Sequence, residues 1–147
     1  MKPVAHVLHS LGDTSVPTFG FVIPCFNEED NVGATVGSVR EAMGSRGDYE
    51  IVLVNDASTD RTLERMQALA ADDSRIRVLD NPSNLGFGGS YKRGARAATA
   101  TYVMMLPGDA YFFHRIFASI QRGQSHLPKT RIGDASSPRP PLEYFVE

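Results

Sequence analysis

Residues 50–62 read EIVLVNDASTDRT, and the change of character within this stretch decides the fold. A continuous run of Ile, Val and Leu, as expected in a strand that is covered on both faces, leads to Asp56. Asp60 then lies directly before Arg61 and Thr62, in a position where Asp commonly caps the start of a helix. The stretch therefore predicts a buried strand, a short polar loop and the beginning of a helix.

Apolar runs of the same kind lie on both sides of this strand. They read FGFVIPCF from Phe19, RIRVLD from Arg75 and TYVMML from Thr101. The intervals carry apolar residues at helical spacing, namely Val32, Val36, Val39 and Met43 in the first and Leu63, Met66, Leu69 and Ala70 in the second. The third interval, GGSYKRGARAATA, predicts a helix that can pack closely on a sheet. This alternation predicts an α/β fold with a mostly parallel sheet and flanking helices.

The composition of the 147 residues fits one globular domain, with 41% hydrophobic and 22% charged residues. The apolar stretches are too short to span a bilayer, and the first twenty residues lack the basic start and apolar centre of a signal peptide. The single Cys25 excludes an internal disulfide and a cysteine-rich zinc site, so we expect a cytoplasmic chain. With a net charge of −2 and no large basic patch, nothing favours nucleic-acid binding.

The two ends of the chain differ from the part between them. Residues 1–18 have weak periodicity and predict a mobile N-terminal arm, while residues 19–110 hold the predicted strands and helices. Residues 111–147 begin with YFFHRIFASIQRG, a pattern that fits one short amphipathic helix, and continue as a segment rich in Pro, Ser and Arg. We expect that segment to be irregular or disordered.

Acidic residues lie at the end of each predicted strand. In an open parallel sheet, ligands bind outside the carboxyl ends of the strands, near the point where the strand order reverses. The residues at those ends are Asn27, Glu28, Glu29, Asp30, Asp56, Asp80 and Asp109. We therefore expect the acids to gather along one edge of the sheet, where unpaired carboxylates repel one another and raise one another's pKa.

These acids have two interpretations. Asp30, Asp60 and Asp80 are favoured as helix caps or turn residues, because Asp is common where a strand turns into a helix. Asp56 and Asp109 follow strongly apolar strands, where a carboxylate without partners would be costly, so each predicts a cation or a hydrogen-bond donor from a ligand.

A phosphate ligand with a divalent cation would meet both needs. Mg²⁺ and Mn²⁺ prefer oxygen ligands, and Mg²⁺ is commonly held by one or two carboxylates together with substrate phosphates. The third helix begins with NLGFGGSYKRG, which offers a flexible backbone and the cations Lys92 and Arg93. The alternative, that these two cations are solvated helix residues, stays open.

Three stretches together resemble the nucleotide-binding half of a family 2, GT-A type glycosyltransferase. They are FVIPCFNEEDNV at 21–32, EIVLVNDASTDRT at 50–62 and NPSNLGFGGSYKRGARAATATYVMMLPGDA at 81–110, in the family's order and spacing. That group includes dolichol-phosphate mannose synthases and polyprenyl-phosphate sugar transferases. The resemblance implies a Rossmann-like fold that binds a nucleotide-diphosphate sugar. It also implies inverting transfer of the sugar to a polyprenyl or dolichyl phosphate or another glycan acceptor, by a protein peripheral to the membrane.

The resemblance implies roles for individual residues as well. The nucleotide-binding residues would be Pro24, Phe26, Asn27, Glu28, Asp56, Gly86, Gly89 and Lys92. Among these, Glu28 and Asp56 would face the base or ribose, and Arg93 is an alternative to Lys92 as the phosphate contact. Asp109 matches the last acid of the family's Asp-x-Asp motif, which binds the Mg²⁺ or Mn²⁺ that bridges the diphosphate.

The sequence departs from the family's pattern at two places. Pro107 stands where the motif has its first Asp and offers no oxygen side chain, so we expect weaker metal affinity. The family continues past this motif into an acceptor-binding half that supplies the catalytic base, whereas residues 111–147 are short, rich in Pro and contain no acid that we can match. We therefore expect a truncated transferase that binds the donor nucleotide with little transfer activity, and its catalytic residues stay unassigned.

Two other functions fit the sequence less well. A nucleotide-dependent oxidoreductase needs the dinucleotide fingerprint Gly-x-Gly-x-x-Gly after a first strand, but the pattern that begins at Gly86 has Tyr91 at its sixth position and follows the third strand. A non-catalytic nucleotide-binding or interaction module is the other alternative. It would pair an exposed sheet edge with another chain and form an oligomer.

Overall fold

The computed structural model describes residues 16–110, which fold into four strands and three helices in strict alternation. In chain order these are β1 (Phe19–Cys25), α1 (Val32–Met43), β2 (Tyr49–Asn55), α2 (Thr62–Asp72), β3 (Ile76–Asp80), α3 (Gly86–Ala97) and β4 (Tyr102–Met105). Within this range, no helix has the length and apolarity that a membrane span needs. The predictions for residues 1–15 and for the tail at 111–147, including its short helix, lie outside the described residues.

The four strands form one sheet in the order β3-β2-β1-β4, and every strand pair in it is parallel. The predicted α/β class with a parallel sheet is therefore confirmed. β1 is a central strand, because it pairs with β2 along its whole length and with β4 through residues 19–22. The chain moves outward from β1 to β2 and β3 and then returns to the other side of β1, so the strand order reverses between β1 and β4. Pairing of an outer strand with another chain stays a prediction.

The backbone joins the sheet slightly before β1 begins. The N–H group of Thr101 donates to the carbonyl of Pro17 at 3.1 Å, and that of Tyr102 donates to the carbonyl of Thr18 at 2.9 Å. The last two residues of the segment predicted as an arm, 1–18, are thus held by the start of β4.

Two helices, α1 and α2, cover one face of the sheet. The predicted apolar face of α1 is confirmed, since Val32, Val36, Val39 and Met43 are all buried. They belong to a cluster that also contains Phe21, Ile23 and Cys25 of β1 and Ile51 and Leu53 of β2. This cluster is the larger part of the core.

The predicted apolar face of α2 is only partly buried. Met66 is fully buried, whereas Leu63, Leu69 and Ala70 are partly exposed. The difference follows from position, because α2 packs mainly against β3, which is an outer strand of the sheet. A helix at the margin of a sheet has less apolar surface to cover than one over its centre.

On the opposite face, α3 packs against Val22, Val52 and Val54, which are fully buried. A Cβ atom at Gly94 would lie 2.4 Å from Cγ1 of Val22 and 2.9 Å from Cγ2 of Val54. The missing side chain therefore allows the helix backbone to approach the sheet closely, as the Gly- and Ala-rich sequence predicts.

Asp73 links three parts of the fold near the amino end of β2. Its carboxylate accepts hydrogen bonds from Arg40, at 3.0 and 3.1 Å, and from Arg75, at 2.8 and 2.9 Å. Arg75 also lies over the ring of Tyr49, with Cζ 4.4 Å from the ring centroid. The hydrogen bond from the Arg75 side chain, against the opposing effect of burial, holds the pKa of Asp73 well below its usual range.

Substitution of Gly94 by Ala should lower the free energy of unfolding by about 2 kcal/mol, because the new methyl group would overlap Val22 and Val54. Urea unfolding followed by circular dichroism measures this change. Gly37→Ala is a matched control, since a Cβ at this helical glycine would meet nothing within 4 Å. That control should gain about 0.5–1 kcal/mol. Equal effects of the two substitutions would contradict the close packing of α3.

Asp73→Asn should cost about 1–2 kcal/mol of stability at pH 7, at the low end for charged hydrogen bonds because both arginines are more than a third exposed. The folded-state pKa is depressed, so the wild-type carboxylate contributes fully above its unfolded pKa, which is about 4, and loses this contribution as the pH falls further. The gap between variant and wild type in urea unfolding should therefore shrink from pH 7 to pH 3. Asp48→Asn, which breaks an exposed pair with Arg46, should cost less than about 0.5 kcal/mol. A gap for Asp73→Asn that did not change with pH would rule out this account.

Candidate functional site

The carboxyl ends of β1, β2 and β4 bring three of the predicted acids to one edge of the sheet. Glu28 follows β1, Asp56 follows β2 and Asp109 follows β4. Backbone hydrogen bonds hold these ends together. The Asp56 N–H donates to the carbonyl of Cys25 at 2.9 Å, and the Leu106 N–H donates to the carbonyl of Val22 in β1, also at 2.9 Å. The reversal of strand order lies at this edge, where open parallel sheets bind ligands.

The loop after β1 is tied to the loop after β2. The Asn27 N–H donates to Oγ of Ser58 at 3.0 Å, and the Thr59 N–H donates to Oδ1 of Asn27 at 2.8 Å. Asn27 and Ala57 have φ values of 55° and 59°, in the left-handed region that residues other than Gly seldom adopt. The predicted nucleotide-binding residue Asn27 thus uses its amide oxygen and its backbone to set the shape of the loop.

Two more predicted residues lie on either side of Cys25. Pro24 is buried at the end of β1 and pairs with Val54 of β2. Phe26 is 49% exposed, in contrast to the fully buried Phe21. Its ring therefore offers an apolar surface at the edge of the sheet, where a flat ligand group could stack.

Asp56 is buried, and its carboxylate is satisfied within the protein. Oδ1 accepts hydrogen bonds from the Leu85 N–H at 2.7 Å and from Nδ2 of Asn81 at 2.8 Å. Burial alone would raise the pKa of Asp56, but these bonds, with further ones from Ser90 and Gly86, lower it below the usual value. The segment that leads into α3 thus supplies donors that the sequence analysis expected from a ligand, and a role of Asp56 in nucleotide binding stays a prediction.

Of the acids predicted as caps or turn residues, Asp60 and Asp30 have such a role, whereas Asp80 is the last residue of β3. Oδ1 of Asp60 accepts a hydrogen bond from the Thr62 N–H at 2.9 Å, at the start of α2. Oδ1 of Asp80 accepts one from Nδ2 of Asn55 at 2.7 Å. Asp30 is exposed in the turn before α1 and forms no cap of that helix.

The loop that carries Asp109 is held from two sides. Oγ1 of Thr35 donates to the Gly108 carbonyl at 2.6 Å. On the other side, a Cβ at Gly108 would lie 2.9 Å from Cγ of Glu28 and 3.0 Å from Sγ of Cys25, so only Gly fits. The Asp109 side chain itself is exposed. A backbone fixed in this way presents a carboxylate that is free to meet a ligand.

The carboxylates of Glu28 and Asp109 both act electrostatically on one buried thiol, that of Cys25. Burial first, and then the charges of Glu28 and Asp109, raise the pKa of Cys25 to about 12. Within residues 16–110, no three His, Cys, Asp or Glu side chains meet as a metal-binding group. The two carboxylates suit Mg²⁺ or Mn²⁺ in ligand type, but a cation there needs further oxygen atoms from water or from phosphate.

The start of α3 carries the predicted phosphate-contacting residues. Gly86 has a φ of 71°, which favours Gly, and a Cβ at Gly89 would lie 2.8 Å from Cβ of Leu85. The first N–H groups of the helix are already used, since Leu85 donates to Asp56 and Gly86 donates to Oδ1 of Asn84 at 2.9 Å. A left-handed backbone at Gly86 and close packing at Gly89 therefore explain the two predicted glycines.

The two predicted cations of α3 differ in their surroundings. Arg93 donates to the carbonyl of Asp80 at 2.7 Å and to Oδ1 of Asn81, so its guanidinium group serves the end of β3. Lys92 is exposed, and it lies about 200° around the helix from the buried Ser90, which faces the sheet. Arg93 is thus committed to the fold, and Lys92 projects from the outer side of α3.

Sequence reasoning missed the residues that support the site from below. Thr35, Thr62, Asn81 and Ser90 are buried polar residues whose side chains hold the loops just described. One signal was available for Thr35, because it lies within the apolar face of α1, directly before Val36. A polar residue inside an apolar helical face requires a hydrogen-bond partner in the core.

Comparisons with known proteins agree with the geometry. A family model described as Glycosyl transferase family 2 matches residues 21–120. The uncharacterized glycosyltransferase EpsJ of Bacillus subtilis (strain 168) is 32% identical over 102 residues, which cover 69% of this chain and 29% of that protein. The dolichyl-phosphate beta-glucosyltransferase ALG5A of Trichomonas vaginalis (strain ATCC PRA-98 / G3) is 27% identical over 140 residues, which cover 85% of this chain and 43% of that protein. The chain thus spans less than half the length of these relatives.

Solved structures give the same fold. The S. aureus TarS 1-349 structure in complex with UDP-GlcNAc has a TM-score of 0.58 at 20% identity, covering 73% of this chain and 32% of that one. The mannosyltransferase PcManGT from Pyrobaculum calidifontis, in complex with GDP-Man and Mn²⁺, has a TM-score of 0.58 at 22% identity, covering 66% and 29%. At these identities the likeness concerns the fold alone, which is the GT-A fold. The family model covers more than half of this chain, and the chain therefore belongs to glycosyl transferase family 2.

Proposed function

We propose that residues 19–110 bind the nucleoside diphosphate part of a sugar donor at the edge between β1 and β4, with Mg²⁺ or Mn²⁺ between Asp109 and the diphosphate. The observation that carries the proposal is the exposed Asp109 on a loop that packs, through Gly108, against Glu28 and Cys25 at the point where the strand order reverses. TarS binds UDP-GlcNAc and PcManGT binds GDP-Man with Mn²⁺ in their structures, which supports this class of ligand.

The nucleoside would lie over the loop after β1. The half-exposed ring of Phe26 offers a stacking surface for a base. The Glu28 carboxylate, whose Oε2 accepts a hydrogen bond from Nδ2 of Asn31 at 2.7 Å, would contact polar groups of the nucleoside. Asn27 and Asp56 would act through the loops they hold, since their side chains already have partners in the protein. Pro24, which is buried, would lie in the floor of the site.

The diphosphate would lie near Asp109 and the glycines that begin α3. A divalent cation supplies positive charge that offsets the negative charge on the leaving nucleoside diphosphate. Asp109 is suited to hold it, because the carboxylate is exposed on a loop whose backbone is fixed by Thr35. Pro107 contributes no ligand, so the diphosphate and water would complete the coordination. Lys92 is the least favoured of the predicted contacts, because it projects from the outer side of α3.

The acceptor is proposed from the relatives. ALG5A is a dolichyl-phosphate glucosyltransferase, and a polyprenyl or dolichyl phosphate would therefore be the acceptor of the sugar. The reaction of the complete site would be transfer of a sugar from the nucleoside diphosphate to that phosphate oxygen, at a membrane surface. Among residues 16–110, no side chain is assigned as the catalytic base.

Calorimetric titration tests the donor-binding proposal directly. UDP and GDP are each titrated into the chain with Mn²⁺ or with EDTA. We expect one of them to bind with micromolar to millimolar affinity, and at least about tenfold more tightly with Mn²⁺, because the cation screens the acids at the edge. Failure of both nucleotides to bind in the presence of Mn²⁺ would refute the proposal.

Substitution of Asp109 tests the metal role. Asp109→Asn should remove most of the enhancement by Mn²⁺, roughly tenfold or more, and leave nucleotide binding in EDTA within about twofold of wild type. Asp30→Asn is the matched control, because Asp30 is an exposed acid at the same edge on the turn before α1. Equal losses in the two variants would mean that general negative charge, and not a ligand position, matters.

A further inference from the structure

Two buried threonine hydroxyls contact the backbone of the two loops proposed to bind the donor. Thr35 lies in the second turn of α1 and Thr62 begins α2, and both are fully buried. Their hydroxyl groups are directed at loop backbone outside their own helices. Among the hydrogen bonds described above, only these two threonines join a side chain of α1 or α2 to a loop at the proposed site.

Thr35 serves the loop of Asp109. Its hydroxyl donates to the Gly108 carbonyl at 2.6 Å, one residue before the proposed metal ligand. Contact of Gly108 with Glu28 and Cys25 prevents the loop from moving inward, and the hydroxyl prevents it from moving away. The position of the Asp109 carboxylate thus depends on this one hydrogen bond together with that packing.

Thr62 serves the loop after β1. Its hydroxyl accepts from the Glu28 N–H at 2.8 Å and donates to Oδ1 of Asp60 at 2.5 Å. Oδ2 of Asp60 in turn accepts from the Glu29 N–H at 3.3 Å. Thr62 and Asp60 together therefore hold the N–H groups of Glu28 and Glu29, directly after Phe26 and Asn27.

We propose that Thr35 and Thr62 are positioning residues for separate halves of the donor site, Thr35 for the metal-binding carboxylate and Thr62 for the nucleoside-contacting Phe26 and Glu28. This inference rests on the proposed function. Replacement of either hydroxyl by a methyl group keeps the shape of the side chain but leaves a loop carbonyl or N–H group without its partner. Ligand-contacting groups need support to well below 1 Å, so each loss should affect only the half that the threonine supports.

The experiment compares Thr35→Val and Thr62→Val in nucleotide affinity with saturating Mn²⁺ and with EDTA. The nucleotide is UDP or GDP, whichever binds the wild type, and ligand-observed NMR extends the EDTA measurement into the millimolar range. Thr35→Val should lose about tenfold in the enhancement by Mn²⁺, while its affinity in EDTA stays within twofold of wild type. Thr62→Val should lose about tenfold in both conditions, so that its enhancement by Mn²⁺ is unchanged.

Serine variants and a remote variant separate positioning from a general loss of stability. Thr35→Ser and Thr62→Ser retain the hydroxyl and should recover wild-type affinities. Asp73→Asn, at the opposite end of the strands, should lower the urea midpoint while both affinities stay within twofold of wild type. If a valine variant does not fold, Thr35→Ala or Asp60→Asn replaces it, because Asp60→Asn disturbs the same hydroxyl from its other side.

The outcomes are distinct. The wild type must first bind nucleotide. If both valine variants then lower the same quantity, either the affinity in EDTA or the enhancement by Mn²⁺, the division into two halves is wrong. It is also wrong if neither variant lowers either quantity. The same holds if Asp73→Asn reproduces either pattern, since the effects would then reflect stability. A wild type that binds neither nucleotide refutes the proposed function, and this inference is refuted with it.

Discussion

The parallel pairing of β1 with a strand on each side is the constraint on which the rest of the structure depends. Because it pairs with both β2 and β4, β1 is buried in the sheet and the chain leaves it only at the ends. From the carboxyl end of β1, the chain crosses over to β2 on one side of it. The chain later returns as β4 on the other side, so the strand order reverses at β1. Residues 26–30 therefore lie between the loops of two other strands. Their backbone N–H groups find side-chain partners in the loop after β2 and at the start of α2, since Asn27 donates to Ser58, Glu28 to Thr62 and Glu29 to Asp60.

The way in which these groups are satisfied divides the acids at the edge into two kinds. Asp56 and Asp60 accept hydrogen bonds from backbone N–H groups and hold loops in place. Asp109 forms no hydrogen bond or ion pair with the part of the chain that the structure describes, and it is exposed. Backbone N–H groups already offset the charge of Asp56 and Asp60, whereas the charge of Asp109 is available to the proposed ligand. The proposed metal role therefore falls to the acid with the fewest partners among the described residues.

The sequence was sufficient for the order of elements, the α/β class and the face of α1, because the apolar spacing of Val32, Val36 and Val39 is a local property. It was also sufficient for the edge, since parallel strands end together. It did not reveal the internal partners of Asp56, because these donors come from Leu85 and Asn81, which are 29 and 25 residues away. It overestimated the burial of α2 because sheet width is not encoded in one helix. Contacts between distant loops are not visible in a local pattern.

The arrangement at this edge also explains why a cation would be needed at all. Glu28 and Asp109 place two negative charges near one buried thiol, and a diphosphate would add more negative charge to the same place. Without a cation, Coulomb repulsion would oppose binding most strongly where the protein excludes water. Pro107 offers no second carboxylate, so the protein contributes charge and position but little coordination geometry. A site of this kind should accept Mg²⁺ or Mn²⁺ through the oxygens of its ligand, and its selectivity should come from the nucleotide and not from the metal.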